Sequence, residues 1–151
     1  MNIIISAIGK LKGVELTLYE HYTKRLAWKI TSHEFEIKKQ LTQQQRKHEE
    51  AAKLFVPCKN AGHIIALDEK GKELGSNELA SHIQKCQLHG ASSIAFIIGG
   101  ADGLDDSIRK RADLLLSFGR VTWPHLLVRG LLAEQLYRAH SIISGHPYHR
   151  E

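Results

Sequence analysis

The apolar positions of this chain change their spacing several times, and each change predicts an element. Ile3 to Gly9 is an apolar run closed by glycine, as in a buried strand. From Val14 to Trp28 the residues Val14, Leu18, Tyr19, Tyr22 and Leu26 recur at steps of three and four, which predicts a helix. Phe35 and Ile37 then alternate with Glu34, Glu36 and Lys38, the signature of a half-buried strand, and TQQQRKHEEAAKLF reads as a polar helix. His63 to Asp68 is a short buried strand, after which Ser76 is the expected N-cap of a helix through Leu79, Ile83 and Cys86, stopped at Gly90. SIAFIIGG (93–100) is a β-rich run, a short helix over 105–113 opens on acids, and LLLSFGRVTW returns to strand and loop. Pro124 fits the first turn of a long last helix.

Alternating strands and helices predict an α/β fold, with a mainly parallel sheet covered on both faces. No Pro/Gly/Ser linker or repeat divides the chain, so residues 1–151 read as one domain. Ligands of such sheets sit at the carboxyl ends of strands, which singles out Leu67-Asp68, Gly99-Gly100 and the stretch Phe118 to Trp123. The last helix carries apolar residues nearly all round (Leu127, Leu131, Leu132, Leu136, Ile142 and Ile143), so it must be buried in the core or against a partner; a dimer is favoured.

Composition narrows the class. The chain is 42 % hydrophobic and 25 % charged, as in ordinary globular proteins, and no apolar run approaches a membrane span. Its start lacks a signal-peptide pattern, and two cysteines without CxxC spacing read as reduced thiols of a cytoplasmic protein. The net charge of +5 is concentrated in residues 1–60, with eleven Lys/Arg against six Asp/Glu. A basic first part suggests a polyanionic partner, or else a solvated lysine-rich face.

The candidate chemistry is sparse. IIGGADGL is a glycine-rich turn that is neither a phosphate loop nor a dinucleotide fingerprint. Four arginines and no lysine occur from Arg120 onward, a bias suited to phosphate or carboxylate recognition or to salt bridges across a subunit contact. His125, His140, His146 and His149 lack an HExxH pattern and a carboxylate cluster, so no metal is expected. The serine-hydrolase and kinase signatures are absent as well.

The set LD (67–68), IGGADGL (98–104), SFGRVTWPHLLVR (117–129), EQLYRA (134–139) and the terminal HPYHRE resembles the ribosomal large subunit pseudouridine methyltransferase H family of the SPOUT class. The resemblance covers essentially the whole chain. It implies a homodimeric α/β fold with a C-terminal trefoil knot, S-adenosyl-L-methionine as cofactor, and N3 of a pseudouridine in 23S rRNA as methyl acceptor. By position, Leu67, Gly99, Phe118, Gly119, Arg120, Val121, Thr122 and Trp123 would bind the cofactor. The tail would fold over the active site, at the dimer interface.

N3 of a pseudouridine carries a proton and is a poor nucleophile until it leaves, so a base or a cation near the ring is required. His149 is the candidate proton acceptor, Arg150 or Arg138 the charge stabiliser, and Tyr148 the group that stacks on or orients the ring. The competing readings are a non-catalytic ribosome- or RNA-binding factor of the same fold and a histidine-based metal hydrolase.

Overall fold

The computed structural model describes residues 1–151. Its strands are β1 (Asn2–Ile8), β2 (Lys29–Phe35), β3 (His63–Glu73), β4 (Ser93–Ile98) and β5 (Leu114–Ser117), and its helices α1 (Gly13–Thr23), α2 (Gln43–Phe55), α3 (Ser76–Leu88), α4 (Asp106–Arg111) and α5 (His125–Ser144). The five strands form one sheet in the order β2-β1-β4-β3-β5, and every pairing is parallel.

β4 shows why an unbroken apolar run is required. Successive side chains point to opposite faces of a strand, and both faces here are covered. Ile94, Phe96 and Ile98 enter the larger core with Ile3, Ile5, Leu79, Ile83, Leu132 and Leu136. Ala95 and Ile97 enter the smaller one with Leu54, Phe55, Leu104 and Ile108. Helices α1, α3 and α5 thus cover one face, and α2 and α4 the other.

Several boundaries differ from the sequence expectation, each for a local reason. α1 ends at Thr23, not near Trp28: the chain turns through Lys24 and Arg25, and Leu26 and Trp28 reach the core from an irregular segment. β2 starts at Lys29 and stops at Phe35, leaving Ile37 outside, because the pairing with β1 ends where Ile8 meets Phe35. Gly75, not Ser76, is the N-cap of α3; the Glu78 carboxylate accepts from Gly75 N–H at 2.7 Å, while Ser76 Oγ donates to Gln135 on α5. Pro124 likewise sits one residue outside α5, as its N-cap.

β3 is longer than expected because it makes an excursion. Leu67 and Lys72 both stand opposite Leu116, so residues 68–71 bulge out between them. Gly71 permits this: a Cβ there would lie 2.7 Å from the backbone of Leu115. The bulge puts Asp68, Glu69 and Lys70 beyond the carboxyl ends of the neighbouring strands.

Candidate active site

Three loops meet at the carboxyl ends of β3, β4 and β5 and enclose a cavity of about 720 Å³. Its walls include Leu67 to Lys70, Ile98 to Leu104, Phe118 and Gly119, and Val121 to His125. The sequence-predicted residues Leu67, Gly99, Phe118, Gly119, Val121, Thr122 and Trp123 are thereby brought together. Arg120, placed with them by position, is exposed and does not line the cavity. Val121, Thr122 and Trp123 beside it line the cavity mouth while remaining partly open to solvent.

The loops are held by their own bonds. Trp123 Nε1 donates to Phe118 O at 3.2 Å, Ser117 Oγ donates to Gly119 O at 2.8 Å, and Thr122 Oγ1 donates to Glu69 at 3.1 Å. The last of these ties the loop after β5 to the β3 bulge. On the β4 side, Gly99 is required by close approach: a Cβ would lie 2.9 Å from Leu104 Cδ2 and 3.0 Å from Gly103 O.

One ionic pair lines the cavity. Arg109 Nε donates to Asp68 at 2.6 Å, and Asp68 also accepts from Lys70 N–H at 2.9 Å. Burial alone would raise the Asp68 carboxyl, but the Arg109 guanidinium and the Lys70 amide outweigh it and hold the group below its ordinary value. His125 also lines the cavity, and burial, with the Arg129 charge behind it, keeps it below the usual imidazole range. Sequence reasoning missed Arg109 altogether. Its partner lies 41 residues away, and nothing in the local pattern announces the pairing.

Arg129 of the WPHLLVR block is 1 % exposed and serves the fold. It donates to Glu34, to Ile8 O at 3.1 Å and to Gly9 O at 2.8 Å, fixing the start of α5 to the ends of β1 and β2. This arginine bridges within the chain and faces no external phosphate.

The tail forms a second cluster further along α5. Gly145 adopts a left-handed conformation (φ 73°) that ends the helix and turns the tail back on it. Arg138 donates to Glu134 through Nε at 3.0 Å and through Nη2, and its Nη1 meets His149 Nδ1 at 3.1 Å. Tyr148 OH donates to Glu134 at 3.0 Å, and the Arg138 guanidinium lies 4.8 Å from the Tyr148 ring centroid. Burial, then the bonds to Tyr22 and Glu134, push the Tyr148 phenol well above its ordinary value. Arg150 is exposed and stands outside this network.

Arginine can only donate, so His149 Nδ1 is the acceptor in this contact and a neutral His149 carries its proton on Nε2. In this arrangement the ring presents an N–H outward. Accepting a proton would require it to release Arg138 first.

The four C-terminal histidines do not assemble. His125 lies in the cavity, His140 packs edge-on against Trp28 at 5.1 Å, and His146 Nδ1 accepts from Tyr148 N–H. No tail residue lines the cavity itself. Glu134, which holds Arg138 and Tyr148, lines an adjoining pocket on the far side of Phe118 and Gly119.

Comparison with known proteins bears on this geometry. The family described as "Predicted SPOUT methyltransferase" matches residues 1–149. A protein of Paramagnetospirillum magneticum named "Ribosomal RNA large subunit methyltransferase H" is 50 % identical over 151 residues, covering 99 % of each chain. Proteins of the same name from Rhodospirillum centenum and Rhodospirillum rubrum are 44 % and 42 % identical, each over 99 % of both chains. Among solved structures, a probable methylase family protein from Haemophilus influenzae superposes with a TM-score of 0.55 at 10 % identity, over 99 % of this chain and 70 % of that one. It is a likeness of fold alone.

Proposed function

This chain belongs to the ribosomal RNA large subunit methyltransferase H family of SPOUT methyltransferases, and from that membership we propose that it methylates N3 of a pseudouridine in 23S rRNA, with S-adenosyl-L-methionine as donor, on the assembled ribosome. The observation that carries the reading is the cavity itself, in which Leu67, Gly99 and the 118–123 loop converge at three parallel strand ends. The residues suit the cofactor. Apolar walls (Leu67, Ile98, Leu116, Val121) offer a slot for a flat base, and the glycines bring backbone polar groups close to the ligand. When bound, the cofactor supplies an electrophilic methyl group.

The chain's own residues then have to select, orient and deprotonate the acceptor. His149 Nε2–H and the Arg138 guanidinium are hydrogen-bond donors suited to a uracil carbonyl, where negative charge grows as N3 loses its proton. Tyr148, held by Glu134 and flanked by Arg138, sets the position of both. Arg150, free in solvent, is placed to meet the rRNA backbone. His149 acts as the proton acceptor only once substrate draws Arg138 away from Nδ1.

Because no tail residue lines the cavity of its own chain, the reading takes the protein as a homodimer in which each tail serves the partner's cavity. The exposed apolar residues Val121 (59 %) and Trp123 (39 %) at the cavity mouth support such a contact. The same reading takes the C-terminal part of the chain to form a trefoil knot.

Titration with S-adenosylhomocysteine, followed calorimetrically, tests the cavity assignment. One site per chain is expected, retained in His149→Asn and lost in a Gly99→Ala, Gly119→Ala double variant that still folds. Binding unaffected by the double variant would overturn the placement. For the tail, His149→Asn should flatten the rising limb of the pH–rate profile; a profile matching wild type in height and shape would remove His149 from the proton transfer.

A further inference from the structure

A cluster that the methyl-transfer reading leaves unused lies at the opposite, amino-terminal edge of the sheet. His63 opens β3, and His82 and Cys86 are four residues apart on α3, so one helical turn stacks them on the same face. His63 Nε2 meets His82 Nε2 at 2.9 Å, and one donor atom from each of the three residues lies within 4.8 Å of the others. On the far side of His63, the Asp113 carboxylate stands 3.6 Å from Nδ1 and is itself fixed by Ile64 N–H at 2.7 Å.

Two imidazoles sharing one proton account for the 2.9 Å contact. They do not account for a thiol beside both rings, nor for a pinned carboxylate on the outer nitrogen of one. That second feature is the arrangement by which metal-ligating histidines are oriented.

We propose that His63, His82 and Cys86 form a Zn(II) site, with Asp113 as the outer partner of His63. Two imidazoles and a thiolate are a donor set matched to a borderline-soft cation, and zinc takes such ligands at about 2.0–2.1 Å (N) and 2.3 Å (S) in tetrahedral geometry. Neighbouring donors then sit roughly 3.3–3.6 Å apart, so the imidazoles separate by a few tenths of an ångström and the thiol closes in. On binding, the Cys86 thiol gives its proton to solvent and ligates as thiolate. The His63 side chain is 20 % exposed, leaving the fourth position to water.

The ion takes no part in the methyl transfer. His63 precedes Asp68 by five residues of extended chain, about 16 Å at 3.3 Å per residue, so the ion cannot touch a reactant in the cavity. What it can do is clip the first residue of β3 to α3. The expectation that no metal is bound looked to the C-terminal histidines, and this trio escaped it because its members are scattered across 24 positions with no motif spacing.

The test uses the full chain, stripped with a chelator and titrated with Co(II) as spectroscopic probe and Zn(II) as competitor. One equivalent of Co(II) should produce a thiolate-to-cobalt charge-transfer band that Zn(II) abolishes. Free Zn(II) at 100 times its Kd should raise Tm by roughly 5–10 °C. Cys86→Ser should lose the band and Cys58→Ser keep it, and Asp113→Asn should weaken zinc binding by about 10–100-fold. No band in the folded wild type, or a band intact in Cys86→Ser, would overturn the site. If Cys86→Ser does not fold, His82→Gln decides instead: weakened binding supports the site, and wild-type affinity refutes it.

Discussion

Glu50 on α2 is 4 % exposed, and one of its carboxylate oxygens, Oε2, has no hydrogen-bond partner. Burial, and next the nearby Asp102, raise this carboxyl above its ordinary value, with Arg46 and the Gly100 amide pulling the other way. The folded state therefore holds this proton more tightly than the unfolded one. Stability tied to it is present at low pH and is lost as pH rises through the folded pKa. Glu50→Gln, which keeps an acceptor for Gly100 but cannot ionise, should be near neutral at about pH 4 and stabilising by about 1 kcal/mol at neutral pH, as read by Tm at both pH values. A gain that is the same at both would show that ionisation is not the cause. At Gly99 the space is filled by Leu104 and a backbone carbonyl, so Gly99→Ala alone should cost about 1–3 kcal/mol and also weaken cofactor binding, measured by urea unfolding and by titration. Individual residues were legible where a strand end marked them, as at Leu67, Gly99 and Phe118. Arg109 and Glu50 were not, because their roles come from partners brought close only by the fold.

Among the elements, the sequence located β1, β4 and α5 closely, because long apolar runs and a run bounded by Pro124 and Gly145 leave little choice. It overextended α1, since Leu26 and Trp28 keep the helical spacing yet are buried from a turn. It shortened β3, since the exposed bulge 68–71 looks like a loop. In the proposed reading the tail is the element whose function separates from the fold. It packs on α5 through Arg138 and Glu134 and contributes little else to the core, Tyr148 excepted. Truncation after Gly145 should therefore leave cofactor affinity within a few-fold of wild type while abolishing methyl transfer. Loss of both together would mean that the tail builds the cavity, contrary to its position here.

For the whole molecule, a mainly parallel sheet with helices on both faces followed from strand–helix alternation, but neither the strand order nor the packing of the tail on α5, off the cavity wall, could have been read from the chain. The proposed dimer makes assembly part of the chemistry. Light scattering should give twice the 17.0 kDa of one chain. A mixed dimer of the tail-truncated chain with a Gly99→Ala, Gly119→Ala chain should regain activity at one of its two sites, since it joins one intact tail to one intact cavity across the interface. A monomeric, fully active protein would contradict the shared site.

The most direct test is methyl transfer from labelled S-adenosylmethionine to intact ribosomes, large subunits and deproteinised rRNA from cells lacking this protein, with the labelled nucleoside identified. The account predicts label in N3-methylpseudouridine of 23S rRNA, strongest on assembled ribosomes and absent with the truncated chain. Bound cofactor with no label in any of the three, or label in another nucleoside, would contradict it.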